Sequence, residues 1–516
     1  MEPIVQFLMP RLDRRQPSPL YLQLREALLE MIQGDRFPAG SRLPPTRTLA
    51  RQLGLNRTTV CAAYNSLESA GWVASHVGRG TLVVRNAVSG PVRPIGGSPE
   101  PVGGIGYSEA VSNLLDGAPE RSWESPEPVL EDGDIDFSRL LPDERLFPVR
   151  KFRTVVNQIL EREGSALLQY GPASGYAPMR EVLARRMVQR GLPADPENLL
   201  IVSGAQQGMD LVFRMFLDPG SRVVVESPTY SHVLPLLRFH RATILGIPMT
   251  TEGMDLDALE RTLTSSRVRM IYTMPGLHNP TGITTGPEHR ERLLSIAARH
   301  GVPILEDGFE EEIRSSGKRV VPLKALDREN QVIHLGTFSK GLFPGLRIGW
   351  LLANSEIIRV ASEIKSCSDY HTSLLSQAAL AEFCRQGHYD AHLERMHRVF
   401  RRRLRVALKG MQEKFPEEIR WNPPAGGSCI WLELPAGLSS ETLRMQALQE
   451  GVRVAPGMPF FDGSGGNRNF RISISRVNEE EIRRGIARLG KTLGEMLKGR
   501  QEPSGPVVHR ETIPYF

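Results

Sequence analysis

Residues 331–350 read QVIHLGTFSKGLFPGLRIGW. The apolar run QVIHLG has the length of a buried strand, and TFSK follows it with two hydroxyls and a lysine. Arg347 lies seven residues beyond Lys340. A lysine beside Thr337 and Ser339, with an arginine close by, suits a phosphorylated aldehyde cofactor held as an imine. The amine bonds the aldehyde carbon, and the hydroxyls and Arg347 take the phosphate.

Similar runs lie on either side: NLLIVSG, SRVVVES, VRMIYTM, VPILED and IGWLLA. Between them are helical patterns at Met179–Arg190, Gln207–Phe216 and Glu288–His300, and a single long one at Ala378–Lys414. This alternation predicts an α/β body, a large mixed, mostly parallel sheet with helices on both faces. The shorter stretches EIRWNPP, CIWLELP and NFRISIS predict a small C-terminal α+β subdomain. Polar anchors sit where the runs end. In SGAQQ (203–207), Gly204, Ala205 and Gln206 open a helix whose N–H groups can face a phosphate. Asp307, in PILEDG, suits pairing with a protonated pyridine nitrogen. Asn279, in HNPTG, suits a bond to a phenolic oxygen, and Tyr230, in ESPTY, suits stacking on a ring. Singly, each has an ordinary alternative: a plain helix start, an acidic loop, an Asn-Pro turn, a core tyrosine. Their order and spacing make the case.

The 516 residues are 40% hydrophobic and 24% charged, normal for a globular chain of several domain lengths. No apolar run approaches the roughly 18 residues a membrane span needs, and the N-terminal residues lack signal-peptide order. Cys61, Cys367, Cys384 and Cys429 are scattered without a CxxC pair. That argues against a disulfide framework or zinc ribbon and fits the cytoplasm; no metal site is expected. The net charge of +6 is unevenly spread. Residues 1–85 carry +5, with 11 Arg and no Lys, whereas 86–133 carry −6 with 7 Pro and 8 Gly. The chain therefore divides into a basic head (14–85), an acidic Pro/Gly-rich linker (86–133), a body (134–498) and a loose tail (499–516).

In the head, helical periodicity runs from Leu20 to Ile32. The stretch PPTRTLARQLGLNRTTVCAAYNSLESAGWV follows. Pro44–Pro45 suits a helix start, Gly54 a stop, and Asn56 the N-cap of a second helix from Arg57 to about Ala70. This is a helix-turn-helix whose second helix suits the major groove. WVASH, VGRG and TLVV then read as a two-stranded wing. By composition alone, a small bundle with a solvated arginine face remains the alternative.

The ordered motifs PLYLQL, GSRLPPTRTLARQLGL, NRTTV, AYNSLESAGW and GRGT resemble the winged helix of GntR-family bacterial regulators over about residues 18–85. That resemblance implies double-stranded DNA as partner, with Arg47, Arg57, Thr58, Thr59 and Gly78 as contacts. The series SGAQQ, ESPTY, HNPTG, ILEDG, TFSKGLFPGLRIGW, CIWLELP and NFRIS resembles fold-type I pyridoxal-phosphate aminotransferases over about residues 134–495. It implies pyridoxal 5'-phosphate as cofactor and Lys340 as its Schiff-base lysine. Asp307 becomes the ring-nitrogen partner, Asn279 the phenolate ligand and Tyr230 the stacker. Gly204, Ala205, Gln206, Thr337, Ser339 and Arg347 become phosphate ligands. Tyr170, in LLQYGPASGY, would reach the phosphate of a neighbouring subunit in a homodimer, and Arg471 would grip a ligand carboxylate. One position departs: where relatives carry a tyrosine that also bonds the phenolic oxygen, this chain has Phe309. A GntR-type head joined to such a body is the arrangement of MocR-type regulators. It implies a regulator that senses an amino compound or the cofactor itself; the other reading is a working amino-acid aminotransferase with an accessory DNA-binding head.

Overall fold

All six apolar runs of the body form strands of one sheet in the computed structural model. The structure describes residues 2–13, 20–34, 36–38, 40–69, 72–76, 80–83, 108, 111, 133–313, 321–421, 423–424 and 426–499. Gly78, nearly all of the linker and the tail beyond Gly499 lie outside the described residues. The chain divides into two compact units, Met1–Ile105 and Gly106–Phe516.

The first unit holds α1 (Leu20–Gln33), α2 (Thr46–Leu53), α3 (Arg57–Ser69), β1 (Val73–His76) and β2 (Gly80–Val83). Helix α2 starts directly after Pro45 and stops at Gly54, whose left-handed backbone (φ 62°) suits a residue without Cβ. Leu24, Leu28, Leu49, Leu53, Val60, Ala63 and Leu67 form its core. The buried Tyr64 hydroxyl donates to the carbonyl of Pro44 at 2.8 Å, tying α3 to the start of α2. Strands β1 and β2 pair antiparallel, and the amide of Leu43 donates to the carbonyl of Thr81, holding the wing to the helices.

In the second unit, β3 (Ile135–Asp136) comes first. It is followed by α4 (Ala177–Gln189), β4 (Leu199–Val202), α5 (Ala205–Phe216), β5 (Arg222–Ser227), β6 (Thr243–Thr250), β7 (Gly253–Met254) and β8 (Val268–Thr273). Next are α6 (Pro287–His300), β9 (Ile304–Asp307), β10 (Val332–Thr337) and β11 (Gly349–Leu352). The large sheet runs β4-β11-β10-β9-β8-β5-β6-β7. Its centre is parallel, while β11 and β7 run antiparallel to their neighbours. Both faces carry buried clusters, one around Phe213 and Val225 and the other around Leu293 and Val332, as a helix-covered parallel sheet requires.

One sequence expectation fails. The segment Ala378–Lys414 is two helices, α7 (Leu374–Arg385) and α8 (His388–Lys414), because Gly387 takes a left-handed backbone (φ 71°) that breaks the ladder. The shorter C-terminal stretches behave as expected. β12 (Arg420–Trp421), β13 (Cys429–Glu433), β14 (Val452–Arg453), β15 (Ala455–Pro456) and β16 (Asn469–Ser473) lead to α9 (Glu479–Lys498). The antiparallel order is β12-β13-β16-β15, and β3 pairs with β14. The first strand of the body thus belongs to its last subdomain, and Phe137 is buried in that subdomain's core. Among the described residues, no helix is long and apolar enough to cross a membrane.

Candidate functional site

Parallel strands end together at one edge of the sheet, where open α/β folds bind ligands. There Ala205, Gln206, Tyr230, Asn279, Asp307, Thr337, Ser339, Lys340, Arg347 and Arg471 line a single cavity of about 370 Å³. Every body residue singled out from the sequence reaches it except Gly204 and Tyr170. Gly204 is the N-cap of α5, at φ 90°. A Cβ there would stand 2.3 Å from Nη2 of Arg347, so the backbone and the guanidinium meet only because the residue is glycine. Tyr170 is 81% exposed and packs beside Tyr370, outside the cavity of its own chain.

Asp307 ends β9 and is buried. Its Oδ2 accepts the Tyr272 hydroxyl at 2.8 Å, while Oδ1 is buried without a hydrogen-bond partner. An orphaned carboxylate oxygen is costly unless a ligand completes it. Burial pushes the Asp307 pKa up to about 6. Behind it, His334 lies between Glu306 at 3.0 Å and Glu311 at 3.8 Å. The histidine shifts upward, favoured by the two carboxylates against burial, and Glu306 shifts downward despite its own burial. Both Glu306 oxygens also accept backbone amides, from Leu323 and Lys324, and Glu311 pairs with Arg190 at 3.2 Å, so this buried cluster reads as a support for the strand ends.

The Lys340 amine donates to the carbonyl of Leu140 at 2.8 Å, and burial pushes its pKa down, which favours the unprotonated nucleophile. Thr337 Oγ1 donates to Ser339 Oγ at 3.0 Å and accepts from the Ser339 amide, so the two hydroxyls form one cluster beside the lysine. Arg347 has a left-handed backbone (φ 54°), and its Nη2 donates to the carbonyl of Ser203 at 3.1 Å, bringing it to the start of α5. Arg471, only 3% exposed, donates to Asn279 Oδ1 at 2.8 Å and to the carbonyl of Ser138 at 2.5 Å. The ring of Phe460 lies 5.0 Å from its guanidinium carbon. Phe309 lines the cavity and brings no hydroxyl to it.

Sequence reasoning missed part of the wall. Ser138, Arg139, Leu140 and Leu141 follow β3, and His232 stacks on Tyr230 with centroids 5.1 Å apart. The aperiodic DFSRLLPD carries no motif signal, and Tyr272 reads as a plain strand residue. In the head, Arg47 and Arg57 are exposed near the starts of α2 and α3, Thr59 is half-buried, and Thr58 lies in the first turn of α3.

Two family models match the chain: aminotransferase class I and II over residues 141–489, and bacterial regulatory proteins of the gntR family over residues 20–83. The HTH-type transcriptional regulator TauR of Rhodobacter capsulatus is 30% identical, covering 91% of this chain and 96% of its own. The probable rhizopine catabolism regulatory protein MocR of Rhizobium meliloti is 28% identical over 92% of this chain and 94% of its own. Among solved structures, LysN, the α-aminoadipate aminotransferase of Thermus thermophilus complexed with N-(5'-phosphopyridoxyl)-L-leucine, aligns with TM-score 0.70 and 35% identity. It covers 76% of this chain and 98% of its own.

Proposed function

Because the chain belongs to the aminotransferase class I and II family and carries a gntR-family helix-turn-helix ahead of that domain, we propose that it is a pyridoxal-phosphate-dependent transcription regulator. It binds double-stranded DNA through a head at residues 14–85. It senses a carboxylate-bearing amino compound, or the cofactor, through a body at 134–498. It acts as a homodimer in the cytoplasm. The observation that carries the reading is the single cavity shared by Lys340, the orphaned Oδ1 of Asp307 and Arg471.

The residues present fit the cofactor. Asp307 Oδ1 suits the ring nitrogen, which would complete the carboxylate oxygen left without a partner. Gly204, Ala205 and Gln206 at the start of α5, the hydroxyls of Thr337 and Ser339, and Arg347 suit the phosphate. Lys340 offers the amine for covalent attachment, Tyr230 a ring face and Asn279 an amide. When bound, the cofactor supplies an aldehyde that links to amines and a ring that withdraws electrons. Arg471 offers a planar fork for a carboxylate, and its bond to Asn279 couples that fork to the cofactor's surroundings. The exposure of Tyr170 supports a role across a subunit boundary.

Sensing requires a ligand that binds two states of the body unequally. In the head, Arg57→Ala should weaken binding to a mapped operator by about 1–3 kcal/mol, measured by fluorescence anisotropy. Unchanged affinity removes Arg57 from the interface. The second reading, a turning-over aminotransferase, is favoured by the depressed pKa of Lys340, which suits it to carry a proton as well. Single-turnover incubation with a panel of amino acids separates the two. Keto acid formation supports the enzyme; none with any donor supports a sensor.

A further inference from the structure

Charge in the cavity extends the ligand-sensing reading, on which this inference rests. The cofactor reading uses Lys340, Arg347 and Asp307. Beyond them the wall holds two more fixed cations, Arg471 and Arg139, and Asp307 is its only carboxylate among the described residues. Glu310, outside the wall, lies near enough to Lys340 and Arg471 for their charges to act on it, and it also accepts from Ser428, whose Oγ donates to Oε1 at 2.5 Å and whose amide donates to Oε2 at 3.3 Å.

Arg139 is placed by the small subdomain. It follows β3, which pairs with β14, and the Ser473 amide fixes the carbonyl of Phe137 two residues earlier. Its Nε lies 3.7 Å from Asp136 Oδ2, beyond hydrogen-bond length, and its side chain is 55% exposed. Asp136 directs its other oxygen to Ser138, accepting the amide at 2.9 Å and the hydroxyl at 2.6 Å. The half-exposed Arg139 therefore lines the cavity with its fork in ion-pair range of Asp136 but not hydrogen-bonded to it. A ligand with one carboxylate satisfies Arg471 and leaves this second fork to water. A ligand with two satisfies both.

We propose that Arg139 is the specificity-determining residue of the cavity and that the amino compound sensed is a dicarboxylate. One carboxylate occupies the fork of Arg471 and the other that of Arg139. One charge-assisted bond pair at a half-exposed arginine corresponds to about a 10–100-fold preference over the matching half-amide.

The test titrates the cofactor-loaded full-length protein with aspartate, glutamate and their next higher homologue, each against its half-amide of equal length. The readouts are the absorbance of the bound cofactor and the melting temperature. At least one diacid should bind about 10-fold or more tighter than its half-amide. Arg139→Gln should bring that ratio to about one. Equal affinities in the wild type, or an undiminished preference in Arg139→Gln, would overturn the assignment while leaving ligand sensing intact. If no amino compound moves either readout, the sensing reading falls and Arg139 falls with it.

Discussion

The two sides of the cavity are built from different material. On one side, Ala205, Asp307, Thr337 and Lys340 stand at or just beyond the ends of strands in the large sheet, where neighbouring strands fix the backbone. On the other, Ser138, Arg139 and Leu140 lie on an irregular segment after β3, and Arg471 lies on β16 of the small sheet. The first side carries the groups suited to a cofactor, and the second those suited to a variable ligand. The second also includes the first strand of the body, since β3 starts at Ile135. A chemistry held constant needs the rigid side.

Substitutions on the sheet side should therefore act on the cofactor first. Lys340→Ala has the largest expected effect, complete loss of the visible absorbance of the bound cofactor. A reducible adduct retained at another residue would contradict the assignment. Asp307→Asn comes next. It removes the charge partner of the ring and should lower cofactor retention by about 100-fold in dialysis. The cofactor-free protein should respond oppositely. Burial raises the folded pKa of Asp307 to about 6, above its ordinary 3.8. Stability associated with its neutral form is therefore present below about pH 4 and lost as pH rises through about 6. Asp307→Asn should be the more stable cofactor-free protein at pH 7.5, by roughly 1–3 kcal/mol, with the gap closing toward pH 4 in urea unfolding.

On the subdomain side, Arg471→Lys should leave the cofactor bound and weaken carboxylate ligands by about 10-fold, because an ammonium cannot reproduce the bidentate fork. Loss of the cofactor in this variant would erase the distinction between the sides. Phe309→Tyr has the smallest expected effect. A hydroxyl at this cavity-lining position adds one hydrogen bond toward the cofactor, about 1 kcal/mol, read as a modest gain in affinity and a shift of the absorbance maximum.

The same division explains what was legible in the sequence. Each sheet-side residue follows an apolar run, so strand and chemistry are adjacent in the chain and a short motif contains both. Lys340 after QVIHLG and Asp307 in PILED are of this kind. The segment after β3 has no period of its own, and its place is set by pairing with β14 near the opposite end of the body. Arg139 and the carbonyls of Ser138 and Leu140 could be found only in the folded chain. Tyr272 was hidden differently. Its hydroxyl matters because β8 and β9 are neighbours, which alternation within VRMIYTM does not express. The break at Gly387 escaped because a lone glycine is compatible with a helix, and only its backbone angle shows that it ends one.

The most direct measurement is the affinity and bending of an operator complex formed by the full-length, cofactor-loaded protein, followed while an amino dicarboxylate is titrated. The expected result is a saturable change in operator affinity or DNA bend that disappears in Lys340→Ala, with DNA binding itself retained. Saturation of the cavity, seen in cofactor absorbance, with operator affinity, bend and promoter output all unchanged would contradict a ligand-sensing regulator.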